Sequence, residues 1–420
     1  MKAAALRRTN LGMVGPIRWL VDAKGITSHF QPIVSVRQPG VVGMEALARG
    51  VAGGGSLLPP SALFRMAEAE RLGREVEDLC RWSAVRRFAE LRHCSDDTLL
   101  FLNLDLASSP GHDNLPSELE TLVRAHGLKP RNVAVEFLEA RLDDIARFGT
   151  LATALRKRGF LVVMDDVGAG HSNLDRIPLF RPDVIKIDRS LVTGVEADFY
   201  KQETFKSLVS LSRRIGALVV AEGIETEAEA IAALELGADL LQGYFLCRPQ
   251  DATAFDEAGI ARAGQKAAGL AHAFKSHMVG GINERKLHHR RLSGILSRII
   301  AELGSAEAER FDAILDRIVG EDPKVECCYV LDDAGVQVTE TVCNVALERR
   351  SSGAMFRPAA RGTDHSLKEY FYVLVEVEMQ KYTTDPYVSL ASGSLCRTIS
   401  TRFRSAGSER SYVLCVDVNP

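Results

Sequence analysis

VVMDDV (162–167) is an apolar run that ends in two adjacent acids, and its reading decides the fold. A run this short, bounded by polar segments of helix length, reads as a buried parallel strand. The same form recurs downstream in VIKIDRS (184–190) and VVAEGIE (219–225), and upstream in VAVEFLE (133–139) and MEALAR (44–49). Each run carries an ionisable residue at or near its end: Glu45, Glu136, the pair Asp165 and Asp166, Lys186, and Glu222. Asn103 in FLNLDL and Gln242 in LLQGYF occupy comparable positions. An isolated buried carboxylate is too costly to recur by accident, so the pattern points to one shared site.

Working outward, strand candidates alternate with amphipathic segments from about residue 25 to 250. They are SHFQPIVSV, VGMEALAR, LLFLNLDL, VAVEFLE, FLVVMDDV, DVIKIDRSLV, ALVVAEGIE and LLQGYFLC. Eight strands with helical crossovers give the rhythm of a TIM-like (β/α)8 barrel. The short RQPG turn (37–40) between the first two predicts an antiparallel start. An open doubly wound sheet is the alternative, but the first crossover lacks its glycine-rich phosphate turn. Barrels assemble their sites at the C-terminal ends of the strands, which explains how distant acids could meet. Alternation within VIKIDRS places Lys186 and Asp188 on one face.

The expected organisation is a barrel over 1–255, a helical linker over 256–320 and an α+β domain over 321–420. The linker is expected to break near VGG (279–281), and its RKLHHRR run (285–291) reads as a solvated helix face. In the last segment, Asp-Asp-Ala-Gly within VECCYVLDDAGVQVTETV signals a hairpin, and YFYVLVEVEM, PYVSLASGSLCRTIS and SYVLCVDV read as further strands.

Composition narrows the classes. A formal net charge of −3 offers no global attraction for nucleic-acid polymers or acidic membranes. No stretch approaches the ~20 apolar residues needed to span a bilayer, and the expected location is cytoplasmic. The 8 cysteines form no CxxC pair, so a zinc site among Cys327, Cys328 and Cys343 is disfavoured and reduced thiols are expected.

If the five acids converge, like charges about 4 Å apart repel by roughly 4 kcal/mol at an effective dielectric near 20. Two divalent cations and the Lys186 ammonium would balance them. All-oxygen ligands suit Mg²⁺, Mn²⁺ or Ca²⁺. Two-metal phosphoester hydrolysis and Mg²⁺-dependent enolisation with a lysine base both remain compatible with these residues.

The wording of the motifs goes further. Glu45-Ala46-Leu47 within EALAR, QPIV (31–34), the asparagine of FLNLD, EFLE (136–139), DDVGAGHSNL (165–174), KIDRS (186–190), AEGIET (221–226) and QGYFLCRP (242–249) resemble, in order and spacing, the EAL-domain phosphodiesterases of cyclic di-GMP. The resemblance implies metal ligation by Glu45, Asn103, Glu136, Asp165, Asp166 and Glu222. It implies catalytic roles for Lys186, Glu222 and Asp166, and substrate contacts from Gln31, Arg49, Asp188 and Gln242. Glu139 would anchor the loop after Asp166. Two Mg²⁺ or Mn²⁺ ions would serve, Ca²⁺ would inhibit, and the product would be linear pGpG. A homodimer is implied, as is a C-terminal PAS/PDC-like sensory module that could take a small-molecule ligand. Arg361, Tyr370 and Arg397 are candidate contacts there, although exposed surface is the simpler reading. A catalytically silent receptor for the nucleotide is the alternative. Val167, Ala169 and His171 replace residues usual in the family's loop, and Gly50 replaces a frequent aromatic; none of these is a ligand position.

Overall fold

The computed structural model describes residues 16–52, 55–91, 97–104, 114–138, 145–169, 176–320, 325–344, 357–406 and 410–419. Two compact units divide at Gly280 and Gly281. In the first, β1 (Ile26–Ser35) and β2 (Gly40–Val51) form an antiparallel hairpin, and β3 (Leu57–Leu58) pairs with the end of β2. Parallel to β2 run β4 (Leu99–Leu104), β5 (Val133–Leu138), β6 (Leu161–Val167), β7 (Val184–Ile187), β8 (Leu218–Ala221) and β9 (Leu240–Leu241). β1 also pairs antiparallel with β9, which closes an eight-stranded barrel. A short β10 (Gln250–Asp251) pairs with β1. The antiparallel start follows from the short turn, too brief for a crossover helix.

Local signals set the outer helices. Asp198 caps Phe199–Ile215 by accepting from the Tyr200 and Lys201 N–H groups, and Gly216 ends it at φ 82°. A reciprocal Thr226–Glu229 capping box opens Glu227–Leu236.

The barrel interior is layered. Ile33, Phe101, Ala134, Val163, Val184, Val220 and Leu240, one from each of seven strands, make an apolar floor. The eighth strand contributes Gly43, where a Cβ would lie 2.5 Å from the Phe101 ring. Strand side chains alternate with period two, so the next inward layer comes two residues later on the parallel strands and two earlier on antiparallel β1. That layer is Gln31, Glu45, Asn103, Glu136, Asp165, Lys186, Glu222 and Gln242. The fold therefore sets a ring of polar groups on a dry base.

Three of the expected strands are shorter than their runs, ALVVAEGIE stopping at Ala221. LLQGYFLC contributes only Leu240–Leu241, and DVIKIDRSLV stops at Ile187. Asp188 instead caps the one-turn helix Arg189–Val192, accepting from the Ser190 N–H at 2.9 Å. It lies one residue past the end of β7 and close enough to Asp166 to act on its charge.

Helix Glu257–Gly304 continues through VGG, contrary to the expected break. A glycine costs a helix interior only about 1 kcal/mol relative to alanine, too little to stop a 48-residue helix. No helix among the described residues is long and apolar enough to cross a membrane.

The second unit is an antiparallel sheet: β11 (Val325–Leu331), β12 (Val342–Cys343), β13 (Lys381–Thr383), β14 (Tyr387–Val388), β15 (Leu395–Arg404) and β16 (Ser411–Val418). Their order is β12-β11-β16-β15-β13, with β14 on β15. The hairpin turn forms at Asp332, whose Oδ1 accepts from the Ala334 and Val336 N–H groups. YFYVLVEVEM is not a strand: Glu369–Glu376 is a helix. Its buried residues Tyr370, Phe371 and Leu374 follow helical spacing, and they pack on Tyr329, Leu331 and Val413.

Candidate active site

Lys186 is the hub of the polar layer. Its Nζ lies 2.5 Å from Glu222 Oε1, 2.8 Å from Glu136 Oε1, 3.4 Å from Glu45 Oε2 and 3.5 Å from Asp165 Oδ1. Four strands thus deliver four carboxylates to one ammonium. Asn103 Nδ2 donates to Glu45 Oε1 at 2.8 Å, and Gln242 Nε2 donates to Glu45 Oε2 at 2.5 Å and to Gln31 Oε1 at 3.2 Å. Gln31 in turn donates to the Cys247 carbonyl at 2.9 Å.

Adjacent residues of a regular strand face opposite ways, yet Asp165 and Asp166 act as a pair. The register of β6 against β7 shifts between Met164 and Val167, and Asp166 adopts φ 56°. This bulge turns both carboxylates to one side. Asp165, Asp166 and Glu222 each place one oxygen within 4.8 Å of the others. Gly223 keeps the turn after Glu222 open, since a Cβ there would fall 2.2 Å from Arg189 Cβ.

Burial and neighbouring carboxylates push Glu136, Asp165 and Glu222 above the ordinary carboxylate range, despite Lys186. Asp166 is pushed up to about 6 by burial and by Asp165. Burial acts the same way on Glu45, but Lys186 and the Gln242 and Asn103 amides outweigh it and hold Glu45 low. For Lys186 itself burial opposes the charge, and the surrounding carboxylates overcome it. Five acids against one ammonium leave four negative charges uncompensated when all are ionised. In addition, Glu136 Oε2 and Gln242 Oε1 are buried with no hydrogen-bond partner among the described residues. Unsatisfied oxygens, excess charge and an all-oxygen donor set fit hard divalent cations.

The remaining expected residues sit further out. Arg49 is half-buried, with Nη1 on the Ala48 carbonyl at 2.8 Å. Asp188 lies close enough to Asp166 to raise it. Glu139 and His171 lie outside the described residues. Arg361 and Arg397 are exposed, Arg361 pairing with Asp312, while the Tyr370 hydroxyl meets His365 Nδ1 at 2.6 Å. Sequence reasoning missed the wall beside the mouth. A cavity of about 1060 Å³ runs from Glu45 and Asn103 past Phe64, Arg65 and Arg71 to a buried Arg81–Glu77 pair. No spacing rule marks these helix positions as neighbours of a strand end. The Arg248 guanidinium stacks over Tyr244 at 4.4 Å, and Tyr244 lies near Arg49.

Comparison with known proteins agrees with this geometry. Residues 17–249, more than half the chain, match the EAL domain. The probable cyclic di-GMP phosphodiesterase PdeI of Escherichia coli is 29% identical over 258 residues, spanning 60% of this chain. This chain covers 32% of the length of PdeI. The crystal structure of the Bacillus subtilis YkuI protein, with an EAL domain, superposes with a TM-score of 0.77 at 24% identity. It covers 97% of this chain and 100% of that one, and was solved in complex with cyclic di-GMP and calcium. The phosphodiesterase of Pseudomonas aeruginosa MucR, in its cyclic di-GMP complex, gives a TM-score of 0.53 at 26% identity, covering 57% of this chain and 98% of that one. The chain belongs to the EAL domain family.

Proposed function

We propose that this protein hydrolyses one phosphodiester of cyclic di-GMP to give linear pGpG, using two Mg²⁺ or Mn²⁺ ions. The observation that carries the reading is the polar layer itself: every ligand-type residue of the family motif that the structure describes lies in the barrel mouth, around Lys186. The names of PdeI and of the MucR complex supply the substrate class.

Glu45, Asn103, Glu136 and Asp165 would hold one ion, and Asp165, Asp166 and Glu222 the other. When bound, the ions supply Lewis acidity toward the phosphoryl oxygens and the attacking water. Lys186 stays cationic among its carboxylates, so it orients water and steadies charge on the phosphate rather than abstracting a proton as a free amine. Gln242 and Gln31 form an amide chain that fixes Glu45 and faces the substrate. Arg49 offers a charge-assisted contact to phosphate, and Asp188 a polar contact at the rim. Glu139 would brace the loop after Asp166. A homodimer, a cytoplasmic location and a ligand-responsive C-terminal unit belong to the same reading, on family resemblance.

Incubation of the purified protein with cyclic di-GMP and Mg²⁺ or Mn²⁺, followed by chromatography, tests it. Formation of pGpG is expected. Tight binding with unchanged nucleotide would instead make the protein a receptor.

A further inference from the structure

Cys327 on β11 and Cys343 on β12 stand directly opposite each other in an antiparallel pair. The next residue, Asn344, donates its N–H to the Glu326 carbonyl at 2.8 Å. That bond brackets the cysteines and makes them a non-hydrogen-bonded pair, whose Cα atoms approach to about 4.5 Å with side chains at their closest. A disulfide spans Cα separations of about 4.4–6.8 Å, so the backbone need not move to accept one. The thiols already touch, Cys327 Sγ donating to Cys343 Sγ at 2.7 Å. Cys328, one residue on, faces the opposite side of the sheet and packs in the apolar core.

We propose that Cys327 and Cys343 form a reversible dithiol–disulfide site, oxidised by low-molecular-weight disulfides. The two cysteines are not equivalent. Cys327 is fully buried, whereas Cys343 is partly exposed at the edge of the sheet. The hydrogen bond to Cys343 and burial push the Cys327 thiol up, which together with its burial makes it the poorer first nucleophile. Cys343 therefore attacks first, forming a mixed disulfide and expelling one small thiol. Cys327 then gives up its proton and attacks Cys343 Sγ, expelling the second. Two protein S–H bonds and the oxidant's S–S bond are lost, one protein S–S bond and two small thiols are formed, and two electrons pass to the oxidant. The product ties edge strand β12 to β11 and closes the Asp332 hairpin into a covalent loop.

The test equilibrates the full chain with graded ratios of oxidised to reduced glutathione, then alkylates under denaturing conditions and maps peptides by mass spectrometry. Cys327 and Cys343 should lose alkylation together, with a cross-linked peptide that dithiothreitol dissolves. Cys343→Ser should leave Cys327 alkylated throughout. Cys327→Ser should trap a glutathione adduct on Cys343, and Cys247→Ser should change nothing. The proposal is overturned if both cysteines stay alkylated at the most oxidising ratio. It is equally overturned if wild-type Cys343 carries glutathione while Cys327 remains a thiol.

Discussion

The barrel mouth and the C-terminal sheet both bury acids, and they neutralise them differently. In the mouth, four carboxylates share the Lys186 ammonium. In the sheet, Asp417 accepts from Thr398 Oγ1 at 2.7 Å, and Glu326 accepts from the Ser392 hydroxyl. Neither of these acids has an ion-pair partner among the described residues. Burial pushes Asp417 up to about 7 and raises Glu326 as well. A proton is enough to neutralise the sheet's acids. The mouth holds four acids in one layer, with Asp166 beside them, and keeps its ammonium charged, so protonation there would forfeit the ion pairs to Lys186. Asp165, Asp166 and Glu222 are close enough to share a cation, and that contrast separates a structural acid from a candidate site.

The sharpest break of the contrast is to remove the ammonium. Lys186→Ala and Glu45→Ala should each lower turnover of cyclic di-GMP by at least about 100-fold, the scale of losing one catalytic group. Asp417→Asn, measured in parallel, should leave turnover near wild type. Near-native rates in either barrel variant would mean that the roles are misassigned.

Cations should act on the mouth alone. Mn²⁺ at about 100 times its dissociation constant should stabilise the folded barrel by about 2.7 kcal/mol, read as a raised thermal midpoint. Asp166→Asn should reduce that shift, whereas Asp417→Asn should retain it. Ca²⁺ should give a shift with little turnover, because its looser coordination positions water poorly. Equal shifts in wild type and Asp166→Asn would place the ions elsewhere.

Much of this contrast was legible in the sequence, and its limits are physical. The ring of polar residues was readable because each strand obeys period two and each acid follows an apolar run. The Asp165–Asp166 bulge was not, since adjacency alone assigns the two side chains to opposite faces; the register shift is a tertiary event. Asp188 lies one residue past the end of β7, where alternation alone does not fix its side chain, and its cap on the Ser190 N–H was not readable from VIKIDRS. In the second unit, YFYVLVEVEM has an apolar run that fits strand and helix alike, and only packing of Tyr370, Phe371 and Leu374 on the sheet decides for helix. The VGG break failed because glycine weakens a helix without ending it. Asp417, which follows the apolar run of SYVLCVDV, carried the same mark as the barrel acids, but a single such acid does not announce a shared site.

Its titration supplies the next prediction. The folded state holds the proton up to about pH 7, whereas an unfolded aspartate releases it near pH 4. Between those values the native state binds more protons, so stability falls as pH rises through the window. The contribution is complete below about pH 4 and lost above about pH 7, with an upper bound of about 4 kcal/mol. Chemical unfolding of the full chain followed by a probe in the C-terminal unit should show this slope. Asp417→Asn, which keeps the shape and removes the charge, should flatten it. An unchanged slope in that variant would move the titration to Glu326 or another group.

The smallest expected effect isolates the hydroxyl that assists Asp417. Thr398 Oγ1 donates to Asp417 Oδ1 and also meets the Tyr387 hydroxyl at 2.5 Å, so one oxygen relays between phenol and acid. Donation to an ionised carboxylate is stronger than donation to a neutral acid, by a net amount of about 1 kcal/mol. Thr398→Val should therefore cost more stability at pH 8, where Asp417 is ionised, than at pH 5, where it holds its proton. The difference should come to about 1 kcal/mol by the same comparison. It should vanish in an Asp417→Asn background, because an amide carries no charge for the hydroxyl to assist. A loss that stays equal at both pH values, with or without Asp417, would reduce Thr398 to packing. The sheet's acid would then be held by burial alone.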